Sequence, residues 1–124
     1  MGATDIVEAV IGRPIELPAS VIARYPELAN VKWRRGGIPV NVAGWFLGQS
    51  PAAAITLWGT VFLAPSTLLE AELLLHEFRH VQQFEASASF PVRYLWESAR
   101  RGYFANRFEV DARHYAAQRL RSTD

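Results

Sequence analysis

The sequence predicts an α+β fold in which a small antiparallel sheet or hairpin is followed by one motif-bearing helix and two further helices. Residues 55–64, ITLWGTVFLA, contain two β-rich runs around a glycine, which is typical of a hairpin. Residues 67–85, TLLEAELLLHEFRHVQQFE, repeat apolar positions at helical spacing. The length of 124 residues suffices for one hydrophobic core but not for two. We therefore expect a single domain over residues 1–124.

Short elements are expected on either side of this pattern. A short helix is predicted over Asp5–Ile11, a helical turn from Pro18 to Tyr25, and a strand over Val31–Arg35, where apolar and basic residues alternate. Val40–Pro51 is loop-like, and its Trp45-Phe46 pair is expected to anchor it to the core. These segments carry no chemical motif.

The boundaries of the central elements follow from turn and capping residues. Gly59-Thr60 predicts a type II′ turn in the hairpin. Thr67 and Glu70 match a capping box, so the next helix is expected to begin at Thr67. A further helix over Val92–Arg101 should end at Gly102, which is the usual helix-stopping residue.

The helix predicted over Thr67–Glu85 carries His76, Glu77 and His80 in the spacing H-E-x-x-H. Positions i and i+4 lie about 40° apart on one helix face, so two imidazoles can bind the same ion. Two buried core histidines beside a surface glutamate would be the ordinary alternative. The spacing favours a Zn²⁺ site, with Glu77 beside the water of that site.

A catalytic zinc site has three protein ligands, so a third must come from elsewhere in the chain. The last helix, predicted from the N-cap Asn106 to about Leu120, places Glu109 beside its apolar stripe and turns Asp111 about 200° away. Glu109 could instead complete a capping box with Asn106. We predict that Glu109 is the third ligand and that Asp111 is the reserve.

The composition excludes several classes of protein. The net charge of +1 gives no overall field to attract nucleic acid, and the arginines of the last third are interpreted as solvated helix faces. The absence of cysteine excludes thiolate ligands and disulfides. The apolar runs are too short to span a bilayer, and no secretory signal is evident, so we expect a cytoplasmic protein with no membrane or nucleic-acid partner. No pattern specifies an oligomeric state.

HEFRH on a helix, followed after a helical insert by NRFEVDARHYA, resembles the gluzincin class of zinc metallopeptidases. More closely, the chain is similar to compact bacterial metallopeptidase domains with a short hairpin, then H-E-x-x-H-x-x-Q-Q, then N-P-x-E-x-E-A-D. The resemblance covers roughly Val31–Tyr115. It implies a minimal zincin-like domain in which His76, His80 and Glu109 bind zinc and Glu77 is catalytic.

Two departures from the family pattern bear on the predicted site. Arg113 stands where an aspartate often supports a ligand histidine, and Arg107 replaces a proline. Outer-shell partners typically change metal affinity or activity by about 10- to 100-fold. The Arg113 departure therefore bears on catalysis more than on metal binding.

The resemblance implies a zinc-dependent peptidase that acts on a peptide or protein substrate, with a metal-activated water and Glu77 as general base. Tyr103, His114 and Arg113 are the candidates for stabilising the oxyanion. The alternative is a catalytically inactive zinc-binding or protein-interaction module that uses its Arg-rich helices or exposed aromatic residues. Glu77 argues against this alternative, because a structural metal site needs no base beside it.

Overall fold

The computed structural model describes residues 2–40 and 53–122, which form helices together with a small sheet and so confirm the α+β class. The chain divides into two compact units, Met1–Leu68 and Leu69–Asp124. The sheet belongs to the first unit, and the helix with the H-E-x-x-H motif belongs to the second. The single domain expected over residues 1–124 stays a prediction.

The first unit follows the short elements that the sequence predicts. In chain order its described elements are α1 (Ala3–Ile11), β1 (Arg13–Pro14), α2 (Ala19–Arg24), a 3₁₀ helix (Pro26–Asn30), β2 (Lys32–Arg35), β3 (Ala54–Leu57) and β4 (Thr60–Leu63). The early helix, the helical turn after Pro18 and the strand ending at Arg35 are confirmed. Apart from Val40, the loop expected over Val40–Pro51 lies outside the described residues, together with its Trp45-Phe46 pair.

The sheet has the strand order β1-β2-β4-β3 and is mixed. β3 and β4 pair antiparallel, as the hairpin requires, and β1 pairs antiparallel with β2. β2 pairs parallel with β4, in a register that sets Lys32 opposite Thr60. The predicted antiparallel hairpin is confirmed, whereas the parallel pairing of β2 with β4 was not predicted. The pattern of alternating residues in β2 predicts a strand but carries no information on strand direction.

The turn of the hairpin lies one residue earlier than predicted. Leu57 pairs with Thr60, so the two loop residues are Trp58 and Gly59 rather than Gly59 and Thr60. Thr60 also pairs with Lys32, so it is a strand residue paired with both β2 and β3 and cannot be part of the turn. The positive φ that such turns need falls on Trp58, at 53°, an unusual conformation for a bulky residue.

The second unit consists of α3 (Ala71–Ala86), α4 (Phe90–Ala105) and α5 (Arg107–Arg121). α3 packs mainly along α5, and α4 contacts both. Ala112 and Ala116 lie one turn apart on α5 and are fully buried, and such small side chains let a neighbouring helix approach closely. Aromatic contacts link the three helices through one cluster: Phe84, Phe90, Tyr94 and Phe108.

The N-terminus of α3 corrects the predicted boundary. The helix begins at Ala71 with Glu70 as N-cap, so the capping box expected from Thr67 does not form. Thr67 is held elsewhere: its hydroxyl donates to the carbonyl oxygen of Ala53 at 2.8 Å, and its own carbonyl accepts from Arg35. Thr67 is thus tied to Ala53 and Arg35 and lies four residues before the first residue of the helix, outside the N-cap position.

The other two helix boundaries follow their signals. Gly102 has φ 79° and ψ 167°, so regular helical geometry stops there, and one further short turn completes α4. Asn106 caps α5, because its side-chain oxygen accepts from the amide of Phe108 at 2.9 Å. Both predictions are confirmed. Within residues 2–40 and 53–122, no helix combines the length and the apolar character needed to cross a bilayer.

Candidate metal centre

α3 and α5 bring three predicted ligands together. The Nε2 atom of His76 lies 2.8 Å from Oε1 of Glu109, and the Nε2 atom of His80 lies 3.1 Å from the same oxygen. The two imidazole rings stand edge to face with their centroids 4.9 Å apart, as residues one helical turn apart can. One ligand atom from each residue lies within 4.8 Å of those of the other two, so the group could hold a metal ion.

Glu109 reaches the cluster because of its place in α5. It lies in the first turn of the helix and its side chain is only 4% exposed. The alternative role of Glu109 in a capping box is not found, because the amide of Asn106 donates to the carbonyl of Tyr103 instead. The N-terminal end of a helix carries a partial positive charge, which favours an ionised carboxylate at this position.

The charge of Glu109 is maintained by its neighbours. Burial raises the pKa of this carboxyl, but hydrogen bonds from His76 and His80 outweigh burial and hold the pKa well below its usual range. Tyr94 contributes as well, since its hydroxyl donates to Oε2 at 2.5 Å. Oε2 is thus bound by Tyr94, while Oε1 faces the two imidazoles.

His80 is the more buried of the two histidines, with 8% of its side chain exposed against 15% for His76. Burial lowers its pKa, but the hydrogen bond to Glu109 and the negative charges of Glu77 and Glu109 raise the pKa to about 9. Its Nδ1 faces the side-chain oxygen of Gln83 at 2.8 Å. Both neighbours are acceptors, so without a metal both ring nitrogens donate.

Two imidazoles and a carboxylate are ligands that Zn²⁺ uses in proteins, and imidazole also suits Cu, Fe and Ni. Zn²⁺ binds imidazole nitrogen and carboxylate oxygen at about 2.0 to 2.2 Å, which places neighbouring ligand atoms of a tetrahedral site about 3.3 Å apart. The two nitrogen to oxygen distances, 2.8 and 3.1 Å, are within about half an ångström of that spacing. A four-coordinate ion held by His76, His80 and Glu109 would keep one position for water, as catalytic zinc sites do.

Asp111, the reserve ligand, is not part of this cluster. Arg79 donates to it through Nε at 2.8 Å, and Gln83 donates to it through Nε2 at 2.9 Å. Its side chain is 44% exposed, because the helix turns it away from Glu109. The hydrogen bond from Arg79 is the main cause of its lowered pKa. Asp111 therefore belongs to a polar rim around the cluster.

Glu77, the predicted catalytic residue, lies on the helical turn between the two histidines and is 6% exposed. Its negative charge is one of the causes of the raised pKa of His80. The Glu77 carboxylate is therefore close enough to His80 to favour a positive charge on that ring.

The three candidates for oxyanion stabilisation differ in position. Burial raises the pKa of the Tyr103 hydroxyl, and the charges of Glu109 and Glu77 raise it further, so this hydroxyl stays protonated near the cluster. Arg113 instead lies over the ring of Phe104 at 4.2 Å and donates to the Phe104 carbonyl. His114 is exposed. Of the three, Tyr103 has the position of a hydrogen-bond donor for the site.

Sequence reasoning missed two residues that contact the ligands. Gln83 is part of the HVQQ stretch and lies three residues after His80, a spacing at which helical side chains meet, so its role could have been found. Tyr94 comes from a different helix, and no local pattern distinguishes it from the other aromatic residues of α4. Its contact with Glu109 depends on helix packing alone.

A scan against protein-family models and searches of curated proteins and of solved structures find no match to this chain. The resemblance to the gluzincin class therefore stays a prediction.

Proposed function

We propose that this protein is a zinc-dependent metallopeptidase in which His76, His80 and Glu109 bind Zn²⁺ and Glu77 is the general base. The observation that supports this most is that two histidines of α3 and Glu109 of α5 converge. The buried carboxylate of Glu77 lies on α3 between the two histidines. A purely structural site would use four closed protein ligands, and the cluster found among the described residues offers three.

The chemistry divides between the ion and the protein. When bound, Zn²⁺ lowers the pKa of a water to about 7 and polarises a carbonyl group. Glu77 takes the proton of the attacking water and passes it to the leaving amine. Tyr94 keeps Glu109 oriented through its hydrogen bond to Oε2.

Tyr103 completes the proposed machinery as a hydrogen-bond donor to the oxyanion. Its hydroxyl remains protonated beside Glu109, and 43% of the residue as a whole is exposed, so part of the side chain faces solvent at the edge of the cluster. Removing one oxyanion donor typically lowers kcat by about 10²- to 10³-fold. Tyr103→Phe should therefore reduce turnover while metal content stays stoichiometric.

The decisive experiment pairs activity with metal content. The zinc-loaded protein is incubated with a diverse peptide library, and cleavage is followed by mass spectrometry with and without o-phenanthroline. Glu77→Gln should retain zinc and fold and lose about 10²- to 10⁴-fold in turnover, the usual contribution of a general base. Glu85→Gln, an exposed carboxylate on the same helix, is the matched control and should cleave normally.

Two results would refute the mechanism. Cleavage that persists in Glu77→Gln would mean a different base or a contaminating peptidase. Folded, zinc-loaded protein that cleaves no peptide would exclude the peptidase and leave the binding module as the better function.

That second function has its own supporting observation. Val92, Leu95 and Trp96 form an exposed apolar stripe on α4, at 72%, 68% and 62% exposure, and exposed Arg93 and Arg100 flank it. Contiguous apolar surface of this kind marks interaction sites. If the module is correct, Leu95→Ser with Trp96→Ser should abolish binding of a protein partner and leave zinc content unchanged.

A further inference from the structure

The Nδ1 atom of His80, which points away from the proposed ion, is hydrogen-bonded to another side chain of α3. Gln83 lies about one turn further along α3, and its Oε1 accepts from His80 Nδ1 at 2.8 Å. Its Nε2 donates to the carbonyl oxygen of Phe108 at 3.1 Å and to Oδ2 of Asp111 at 2.9 Å. The amide oxygen of Gln83 thus accepts from a residue of α3, and its amide nitrogen donates to two residues of α5.

These contacts determine which way the amide faces. The Phe108 carbonyl and the Asp111 carboxylate only accept hydrogen bonds, so the NH₂ group of Gln83 must point to them. Its oxygen then faces His80, and an amide oxygen only accepts. Nδ1 of His80 must therefore carry a proton, which leaves Nε2 as the nitrogen that can offer a lone pair to an ion.

Asp111 is itself held in place. Arg79 donates to Oδ2 through Nε at 2.8 Å and to Oδ1 through Nη2 at 3.4 Å, and its Nη1 donates to Gln82 at 3.0 Å. The carboxylate cannot rotate without breaking these bonds. A continuous path of hydrogen bonds therefore runs from Arg79 through Asp111 and Gln83 to His80.

We infer that Gln83 is the positioning residue of the proposed metal centre: it holds His80 in the tautomer that presents Nε2 to the ion. This inference rests on the proposed metal site. Arg113 takes no part in this path, because it contacts Phe104. Support for the ligand histidine comes from Gln83 on the motif helix, and Asp111 acts through Gln83.

The test measures zinc affinity, by competition with a chromophoric chelator, in variants of the full chain. Gln83→Leu removes both ends of the amide at similar volume. Outer-shell partners are typically worth about 10- to 100-fold in metal affinity, so it should bind zinc that much more weakly than Gln118→Leu. Gln118 is an exposed residue of α5 and serves as the matched control.

A charge-neutral exchange distinguishes positioning from general packing. Gln83→Glu keeps the acceptor for His80 but sets a carboxylate against Asp111, so it alone should bind zinc weakly. Adding Asp111→Asn removes the like charge opposite the new carboxylate, so that the pair has the same net charge as in the wild type. The double variant should therefore recover affinity to within about threefold of the wild type, well inside the usual outer-shell effect. This arm holds even if Gln83→Leu fails to fold.

The second readout is the tautomer of His80, followed by ¹⁵N NMR of zinc-loaded protein labelled at histidine. Wild type and the double variant should show a single form with Nδ1 protonated and Nε2 bound to the metal, and Gln83→Leu should lose that uniformity. The inference is wrong if Gln83→Leu equals Gln118→Leu in affinity and tautomer, or if the double variant binds no better than Gln83→Glu.

Failure of the proposed function gives a different pattern. Wild-type protein that binds no zinc removes the metal site, and the inference with it. Wild-type protein that binds zinc and cleaves no peptide refutes the peptidase, whereas the Gln83 series still confirms or refutes the positioning role.

Discussion

Two layers of polar side chains join α3 to α5, and they differ in burial. The inner layer is His76, His80 and Glu109, and the outer layer is Arg79, Gln83 and Asp111. Glu109 is 4% exposed, whereas Asp111, two residues later, is 44% exposed. Both carboxyl groups have lowered pKa values, Glu109 through the histidines and Asp111 through Arg79.

This difference explains why only one carboxylate is a good ligand candidate. A buried charge is costly unless it is paired and hydrogen-bonded, and the partners of Glu109 are groups that also bind metals. Asp111 remains in water and pairs with an arginine, which cannot bind a metal. The inner layer is therefore suited to hold an ion, and the outer layer is suited to hold the inner layer in place.

The largest effect should come from exchanging carboxylate for amide in each layer. Glu109→Gln keeps the size of the side chain but removes the anionic ligand, so zinc binding should fall by more than the 100-fold upper range of outer-shell changes. Asp111→Asn, the matched variant of the outer layer, should lose less than about tenfold. Zinc titration of both variants measures this, and circular dichroism checks that each is folded. A larger loss in Asp111→Asn would reverse the assignment of the ligand.

Metal removal should lower stability without unfolding the protein. In the described residues, His76, His80 and Glu109 hydrogen-bond to one another without an ion. Buried apolar residues of the same helices, such as Leu74, Leu75 and Ala116, also contribute to the core. Zinc at a thousandfold excess over its Kd should add about 4 kcal/mol. Thermal melts with and without chelator test this expectation. A chain that is unstructured without zinc would indicate a structural metal site instead.

Much of the inner layer could be predicted because its geometry is local. The spacing of His76 and His80 places both rings on one helix face. Asn106, as the N-cap, sets where α5 begins. Both signals act within one or two helical turns. Glu109 could be selected over Asp111 because a helical wheel separates them by about 200°. That separation needs no knowledge of the partner helix.

What sequence reasoning missed depends on contacts between distant segments. Thr67 has the residue type of an N-cap, but its hydroxyl bonds to Ala53, and nothing near Thr67 in the sequence specifies that contact. Tyr94 reaches Glu109 only because α4 and α5 pack together. The parallel pairing of β2 with β4 likewise follows from chain topology and not from strand propensity.

The inner layer should lose stability as the pH rises toward 9, and the outer layer should not. Both layers should lose stability in acid, because both carboxyl groups have lowered pKa values. The pKa of His80 is raised from 6.5 to about 9, so its pairing with Glu109 stabilises metal-free protein fully below pH 6.5 and is lost as the pH rises through about 9. The pKa of Glu109 is lowered from 4.5, so its contribution is present above pH 4.5 and is lost on acidification below that value. Metal-free protein should therefore melt highest between pH 4.5 and 6.5.

Zinc binding should show the opposite trend on the alkaline side. The ion must displace the Nε2 proton of His80, so zinc affinity should rise about tenfold per pH unit up to the pKa of about 9. Calorimetry in buffers of different ionisation enthalpy measures the proton released. Affinity that is independent of pH between 6.5 and 8.5 would mean that His80 is not a ligand.

The smallest effect should come from breaking the ion pair of the outer layer. Arg79→Met keeps most of the aliphatic stem and removes the bonds to Asp111, in a pair whose side chains are 34% and 44% exposed. Pairs in such exposed positions are typically worth about 0 to 1 kcal/mol, and salt weakens them further. The loss of stability should therefore be below about 1 kcal/mol and should shrink at 1 M salt.

Zinc affinity should change by less than about 10-fold, the lower end of outer-shell effects, because Gln83 retains its bonds to His80 and to the Phe108 carbonyl. Denaturant melts at two salt concentrations and one zinc titration check both expectations. A loss of zinc affinity greater than that of Gln83→Leu would mean that the two layers act as a single unit.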